Sequence, residues 1–263
     1  MTIKLLTTGN PKVAKGQSNG YLTNILHLAP STMSGRNTCP MATAGCKAAC
    51  LNTAGRGGIF AGVKVADLTG DELWAAIRDG KITNRIQLAR IARTNFFFND
   101  RAAFMKQLVR EVRNAIKLAR KHDLIPVFRL NGTSDIRWET IAVTVTERTW
   151  GRIKKDVTYT NIMDAFPDIQ WYDYTKIANR RDLPANYHLT FSLAESNVAD
   201  ARVALANGMN VAAVFRNVPR EFLGVPVIDG DKTDLRFLDP KRVIVGLKAK
   251  GKAKKDTSGF VQN

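Results

Sequence analysis

All three cysteines of this 263-residue chain fall within one twelve-residue stretch, Cys39, Cys46 and Cys50, in TCPMATAGCKAACLNTAGRG. Such clustering points to a shared task. An odd number of thiols leaves one over after disulfide pairing, and no signal peptide precedes them, so a reducing cytosol and metal ligation are the expectation. A structural zinc site takes four protein ligands from Cys and His, and here there are three thiols. The histidines are His27, His122 and His188, none in C-x2-C or H-x3-H spacing, although His27 lies one strand upstream and could fold back. An iron-sulfur cluster, most simply a [4Fe-4S] cluster, accepts three thiolates and leaves its last iron to a substrate, a water or another side chain. Zinc is the alternative, and three small buried cysteines with no metal the plainest reading. Gly45, Gly55, Gly57 and Gly58, with Pro40, could aim amides inward, and Lys47 and Arg56 could offset thiolate charge.

Other residues have the type and position for chemistry. Asp135 in NGTSD and Glu195 in SLAESN follow apolar runs and are candidate catalytic carboxylates; Glu195 could instead be a cluster-side ligand or a helix cap. Asp229, Asp231 and Asp234 have the spacing that opens a calcium loop, but no Glu follows at the required position, so turn formation is the expected reason for two of them. No G-x-S-x-G elbow and no G-x-x-x-x-G-K-[ST] phosphate loop occurs, which argues against hydrolase and nucleoside triphosphatase activities.

Lys and Arg number 40 against 23 Asp and Glu, a formal charge of +17, which suggests an anionic substrate or nucleic acid as partner. Residues 241–255, KRVIVGLKAKGKAKK, hold seven basic residues and no acid; they suit either a solubilising tail or a loop closing over phosphate, with Lys248, Lys250 and Lys252 as cofactor or substrate contacts and Lys254 and Lys255 beside them. Arg129, Arg216 and Arg236 are further anion contacts near strand ends. No run of about 18 apolar residues occurs, so no membrane span is expected and the cytoplasm is the natural location.

These residues need a scaffold. Residues 1–20 read as a flexible polar arm, 22–28 as a first strand leading into the cysteine loop, and 71–80 and 84–98 as helical. The strongest pattern is a helix over 101–122, apolar at Phe104, Leu108, Val112, Ala115 and Ala119, capped by Asn99 or Asp100, with Lys106, Arg110, Arg113, Lys117 and Lys121 in a basic stripe opposite. That stripe is either the wet side of a packed helix or a track for a nucleic-acid backbone. IPVFRL, IQWYDYT, YHLTFSL, NVAAVF, VPVID and RVIVGL read as strands, 196–207 as a helix, and WETIAVTVTERTW with TYTNIMDAF as an intervening helical stretch. Alternation of strands and helices predicts a single α/β domain over 1–263, an incomplete or open (β/α) barrel with mainly parallel strands, the cysteine loop after the first strand and a basic segment from about 241 to 263. The site then lies at the C-terminal strand ends.

The segment CPMATAGCKAACLNTAGRG, with FRLNGTSDI and VIDGDKTDLRFLD, resembles a family of bacteriophage proteins described as gene product eighty-eight-like. The likeness spans most of the chain and implies a phage origin and a metal or cluster site. The order of elements is also similar to radical S-adenosylmethionine enzymes, which would make Cys39, Cys46 and Cys50 cluster ligands and Gly132, Thr133, Ser134 and Asp135 the turn that holds S-adenosylmethionine. The spacing departs from that superfamily, C-x6-C-x3-C in place of C-x3-C-x2-C, with Ala49 where an aromatic residue is expected. Two functions are expected: a phage-encoded iron-sulfur protein with redox or radical chemistry on a phosphate-bearing or nucleic-acid substrate, or a nucleic-acid-binding protein with a structural metal. Oligomeric state is not legible in the sequence.

Overall fold

A computed structural model describes residues 3–8, 11–53, 57, 76, 79, 81, 84–148 and 154–263; the helical reading of 71–80, and Gly55, Arg56 and Gly58, lie almost wholly outside that set. Twelve strands and six α-helices are described: β1 Leu6–Thr7, α1 Pro11–Gln17, β2 Tyr21–Leu26, α2 Ala44–Ala48, α3 Arg85–Asn99, α4 Arg101–Lys121, β3 Ile125–Arg129, β4 Val143–Arg148, β5 Lys154–Tyr159, α5 Ile162–Ala165, β6 Gln170–Thr175, β7 Tyr187–Ser192, α6 Val198–Ala206, β8 Val211–Phe215, β9 Glu221–Phe222, β10 Val225–Asp229, β11 Ile244–Lys248 and β12 Val261–Gln262.

Ten strands form one sheet in the order β1-β2-β3-β6-β7-β8-β11-β10-β9, with β12 also on β8. The pairings from β2 to β10 are parallel, while β1 on β2 and β9 on β10 are antiparallel. The sheet runs from β1 to β9 without closing, so the architecture is an open, mainly parallel α/β sheet. Strands such as β7, with burial on both faces, read as apolar runs because helices and loops cover both sides.

Helix α4 packs on one face. Phe104, Leu108 and Val112 join Phe128, Trp171 and Leu189 in the main core, and Asp100 caps the helix by accepting the Ala103 amide at 2.9 Å. Each such side chain fully withdrawn from water contributes roughly 1.5–3 kcal/mol. Lys106, Arg110, Lys117 and Lys121 stay exposed, whereas Arg113 bends to the Thr146 carbonyl at 2.9 Å. Further along the sheet, α6 places Ala201, Ala204 and Leu205 against Phe191, Val211 and Ile244. The opposite face of the sheet carries Val127 and Tyr172 under Leu235 and Phe237.

Two expectations are corrected. Residues 3–8 and 11–17 are not a loose arm: Leu5 and Leu6 are buried, their amides donate to the Glu111 carboxylate at 3.0 and 2.8 Å, and 11–17 form α1. The stretch read as helical before β6 is helical at Trp138–Thr140 and Ile162–Ala165, but between them lies the antiparallel β4–β5 hairpin. Val143 and Val145 point into the core while Thr144 and Thr146 are exposed, the two-residue period of a strand.

Candidate metal centre

The cysteine loop leaves β2 and folds over the C-terminal ends of the parallel strands. Thr38, fully buried, donates its hydroxyl to the Ala29 carbonyl at 2.6 Å and fixes the start of the loop. The Cys39 amide donates to Asn37 Oδ1 at 3.0 Å, and Cys39 Sγ accepts the Ser31 amide at 3.3 Å. The short helix α2 carries Cys46. Its N-cap, Thr43, accepts the Cys46 amide at 3.2 Å and donates its hydroxyl to Glu195 Oε2 at 2.7 Å. Cys50 follows in the turn after α2, ahead of Asn52, whose carbonyl accepts Gln87 Nε2 at 3.0 Å and Arg90 Nη1 at 2.9 Å from α3.

The three thiols lie within electrostatic reach of one another: Cys39 feels the charge of Cys46, and Cys50 that of both. Burial pushes all three up, Cys50 to about 11. Two cations stand beside them, Lys176 buried and Arg90 half-buried. Lys176, at the end of β6, donates Nζ to Ser192 Oγ at 2.6 Å and to the Ser192 carbonyl at 3.1 Å, and lies within electrostatic reach of Cys46, Asp135, Glu195 and Cys39. Arg90 sits by Cys50; burial lowers it to about 10, and Cys50 opposes that shift. Among the described residues no three His, Cys, Asp or Glu side chains are disposed to hold a single metal ion.

The candidate carboxylates divide. Asp135 belongs to this cluster: its amide donates to the Thr38 carbonyl at 2.8 Å, its Oδ2 accepts the Lys176 amide at 2.8 Å, and its Oδ1 lies 3.7 Å from Arg180. Burial raises it above the usual carboxylate range. Glu195 acts as a cap from outside the helix, accepting the Gly45 amide at 2.8 Å as well as the Thr43 hydroxyl. Burial works against its ionisation, but these hydrogen bonds hold it below the ordinary value. The Gly45 amide is therefore spent on Glu195 and not aimed at the thiols. A side chain at Gly45 would come within 2.2 Å of Ser258 Oγ and 2.9 Å of Phe260 Cβ, so the glycine is required by close packing.

The turn Asn131–Asp135 is fastened internally. Asn131 Oδ1 accepts Ser134 Oγ, the Ile136 amide and Trp138 Nε1 at 2.9, 2.9 and 3.1 Å, and Thr133 Oγ1 donates to the Leu28 carbonyl at 2.5 Å. A Cβ on Gly132 would meet Ile25 and the Leu26 carbonyl at 2.7 Å, so this glycine lets β3 approach β2. These contacts account for Gly132, Thr133 and Ser134 without a cofactor. His27 Nδ1 is 3.3 Å from Thr7 Oγ1.

The C-terminal segment covers the cysteine loop. Ala249, Ala253 and Val261 pack with Ala49, and β12 adds in parallel to β8. Lys248, Lys250, Lys252, Lys254 and Lys255 are all exposed. Lys250 pairs with Asp231 Oδ1 at 2.5 Å and the Lys248 amide donates to its Oδ2 at 3.1 Å, so Asp231 anchors the segment. Asp229 Oδ1 accepts the Asp231 amide at 2.9 Å, a turn role.

The three arginines expected to contact an anion have other work. Arg129 is ion-paired with Asp234 at 3.0 Å, and fully buried Arg236 with Asp239 at 3.1 Å. Arg216 donates to the Lys254 carbonyl at 3.0 Å and Asn263 Oδ1 at 3.1 Å, tying down the covering segment. Lys176, just past the predicted strand IQWYDYT, and Arg90, with no sequence signal beyond a helical pattern, are the residues that the folding brings to the thiols.

An open, mainly parallel α/β sheet with a thiol-bearing loop across its C-terminal strand ends is the class these features define. No helix among the described residues is long and apolar enough to cross a membrane. The family model described as Gene product 88 matches residues 4–263, and the chain belongs to that family of phage gene products. No curated protein and no solved structure matches it.

Proposed function

We propose that this protein holds an iron-sulfur cluster on Cys39, Cys46 and Cys50 and uses it in redox or radical chemistry on a phosphate-bearing or nucleic-acid substrate. The observation that carries the reading is the gathering of every thiol of the chain beside two cations, the buried Lys176 and the half-buried Arg90. Soft thiolates suit iron-sulfur and zinc alike. A tetrahedral zinc, with Zn–S near 2.3 Å, would need its sulfurs about 3.8 Å apart. With three thiols and no fourth Cys or His in zinc-finger spacing, a cluster whose last iron takes a further ligand needs fewer added assumptions than a closed zinc site.

Bound on three thiolates, the cluster would supply an electron-transfer centre with one iron left to a further ligand. The chain does the rest. Lys176 and Arg90 offset thiolate charge, Thr43 and Glu195 fix the pitch of α2, and the 249–261 segment excludes water. The sequential strand order from β2 to β8 is what a partial (β/α) barrel would have, with its site on the rim. S-adenosylmethionine has no argument beyond the order of elements.

A second reading, a nucleic-acid-binding protein whose metal, iron-sulfur or zinc, braces the loop, is favoured by the row of exposed lysines on the covering segment. Analysis of Cys39→Ala, Cys46→Ala and Cys50→Ala, purified without oxygen, tests the metal site itself. Each variant is expected to lose most of its metal; full retention by all three would contradict the site.

A further inference from the structure

Beside the cysteine loop lies an open cleft of about 300 Å³. Its floor is apolar, formed by Phe97, Phe98, Ile136, Ile141 and Ile177, and its rim carries Arg101 and Arg137. Asn37 and Asp135, which fasten the Cys39 segment, form the wall toward the thiols. The Arg101 guanidinium carbon lies over the Phe97 ring, 3.7 Å from its centroid, held there as Nε donates to the Phe97 carbonyl at 2.9 Å. Arg36 and Arg101 both approach the half-buried Phe98 ring at 5.8 Å. Among the described residues neither Arg36 nor Arg101 has a carboxylate partner, and Arg137 is 47% exposed although its Nε is 3.3 Å from Glu139.

An apolar floor with aromatic edges calls for a planar ring, and two arginines on the rim, with Arg36 beside Phe98, call for an anion attached to it. A preset guanidinium plane stacks on nucleobases, and an arginine fork pairs with phosphate. We propose that this cleft binds a nucleotide, its base over Phe98 and the Arg101 plane and its phosphate at Arg137 and Arg36. Asp135, the acid at the inner end, repels phosphate from the thiol side and so sets the orientation, base inward. This names the substrate class of the reading above and rests on it for the chemistry, but not for the binding.

The test is fluorescence anisotropy with a labelled single-stranded hexanucleotide, on protein as purified and after removal of metal, with AMP, adenosine and inorganic phosphate as competitors. Arg101→Ala and Arg137→Ala are each expected to weaken binding about tenfold. Phe98→Leu, which keeps apolar bulk but removes the stacking ring, is expected to do the same, whereas Arg110→Ala on the exposed face of α4 changes little. AMP should displace the strand far better than adenosine or phosphate alone. A strand affinity well above that of AMP identifies a nucleotide within a strand, and equal affinities a free nucleotide; both sustain the site. Loss with Arg110→Ala equal to that with Arg101→Ala, phosphate competing as well as AMP, or no binding at low salt would overturn it. Binding that persists in a protein found to contain no metal would leave this cleft standing while the cluster fails.

Discussion

Lys176 is the residue on which the electrostatics of the site turn. An ammonium buried beside Cys46, Cys39, Asp135 and Glu195 stabilises negative charge on the thiolates, and more so after reduction adds an electron. With the proposed cluster bound, Lys176→Met is expected to move its midpoint potential in the negative direction by on the order of 50 mV, about 1 kcal/mol for one electron, as read by voltammetry. An unchanged potential would mean that the lysine only packs. His27 gives a second prediction at this scale. Burial, then Arg90, Arg129 and Arg93, lowers it from 6.5 to about 3, so the folded protein binds the proton more weakly than the unfolded chain. Its stabilising contribution is present above pH 6.5 and is lost as pH falls from 6.5 toward 3, at most on the order of 5 kcal/mol. His27→Asn should flatten that acid-side decline in the thermal midpoint. The cysteines were legible in the sequence because rarity and clustering announce them. Lys176 was only the tail of a strand, and Arg90 one cation among many, because no spacing rule links residues that meet through a parallel sheet.

At the scale of elements, α2 and the C-terminal cover depend on each other through Gly45. Gly45→Ala drives a methyl into Ser258 and Phe260 and is expected to cost about 1–3 kcal/mol and to expose the thiols to alkylating reagents. Gly45→Ala with Ser258→Ala should recover part of that loss, since the nearest obstructing atom is the Ser258 hydroxyl. Thermal melts and the alkylation rate check both. The parallel strands β2, β3, β6, β7, β8, β10 and β11 stood out in the sequence as apolar runs, and α4 by its helical period, because burial on both faces or on one leaves a strong pattern. The β4–β5 hairpin did not, because its V-T-V-T alternation is short and is flanked by helical turns at Trp138–Thr140 and Ile162–Ala165. The N-terminal strand was hidden because its burial depends on Glu111, more than a hundred residues away.

Across the whole molecule, the sheet carries two unlike faces, an apolar one under α4 and α6 and a face where Arg129, Asp234 and Tyr174 sit together. Arg129→Met would strand Asp234 and Asp173 without their shared cation, a loss expected at roughly 3–5 kcal/mol in urea unfolding. The site sits where a parallel sheet concentrates function, at the strand ends, and the last fifteen residues close it.

The most direct test is to purify the protein without oxygen, record its visible absorption and count iron, sulfide and zinc per chain. A brown protein with about four irons and four sulfides is the expected result. A colourless protein with one zinc, or with no metal, would contradict the iron-sulfur assignment.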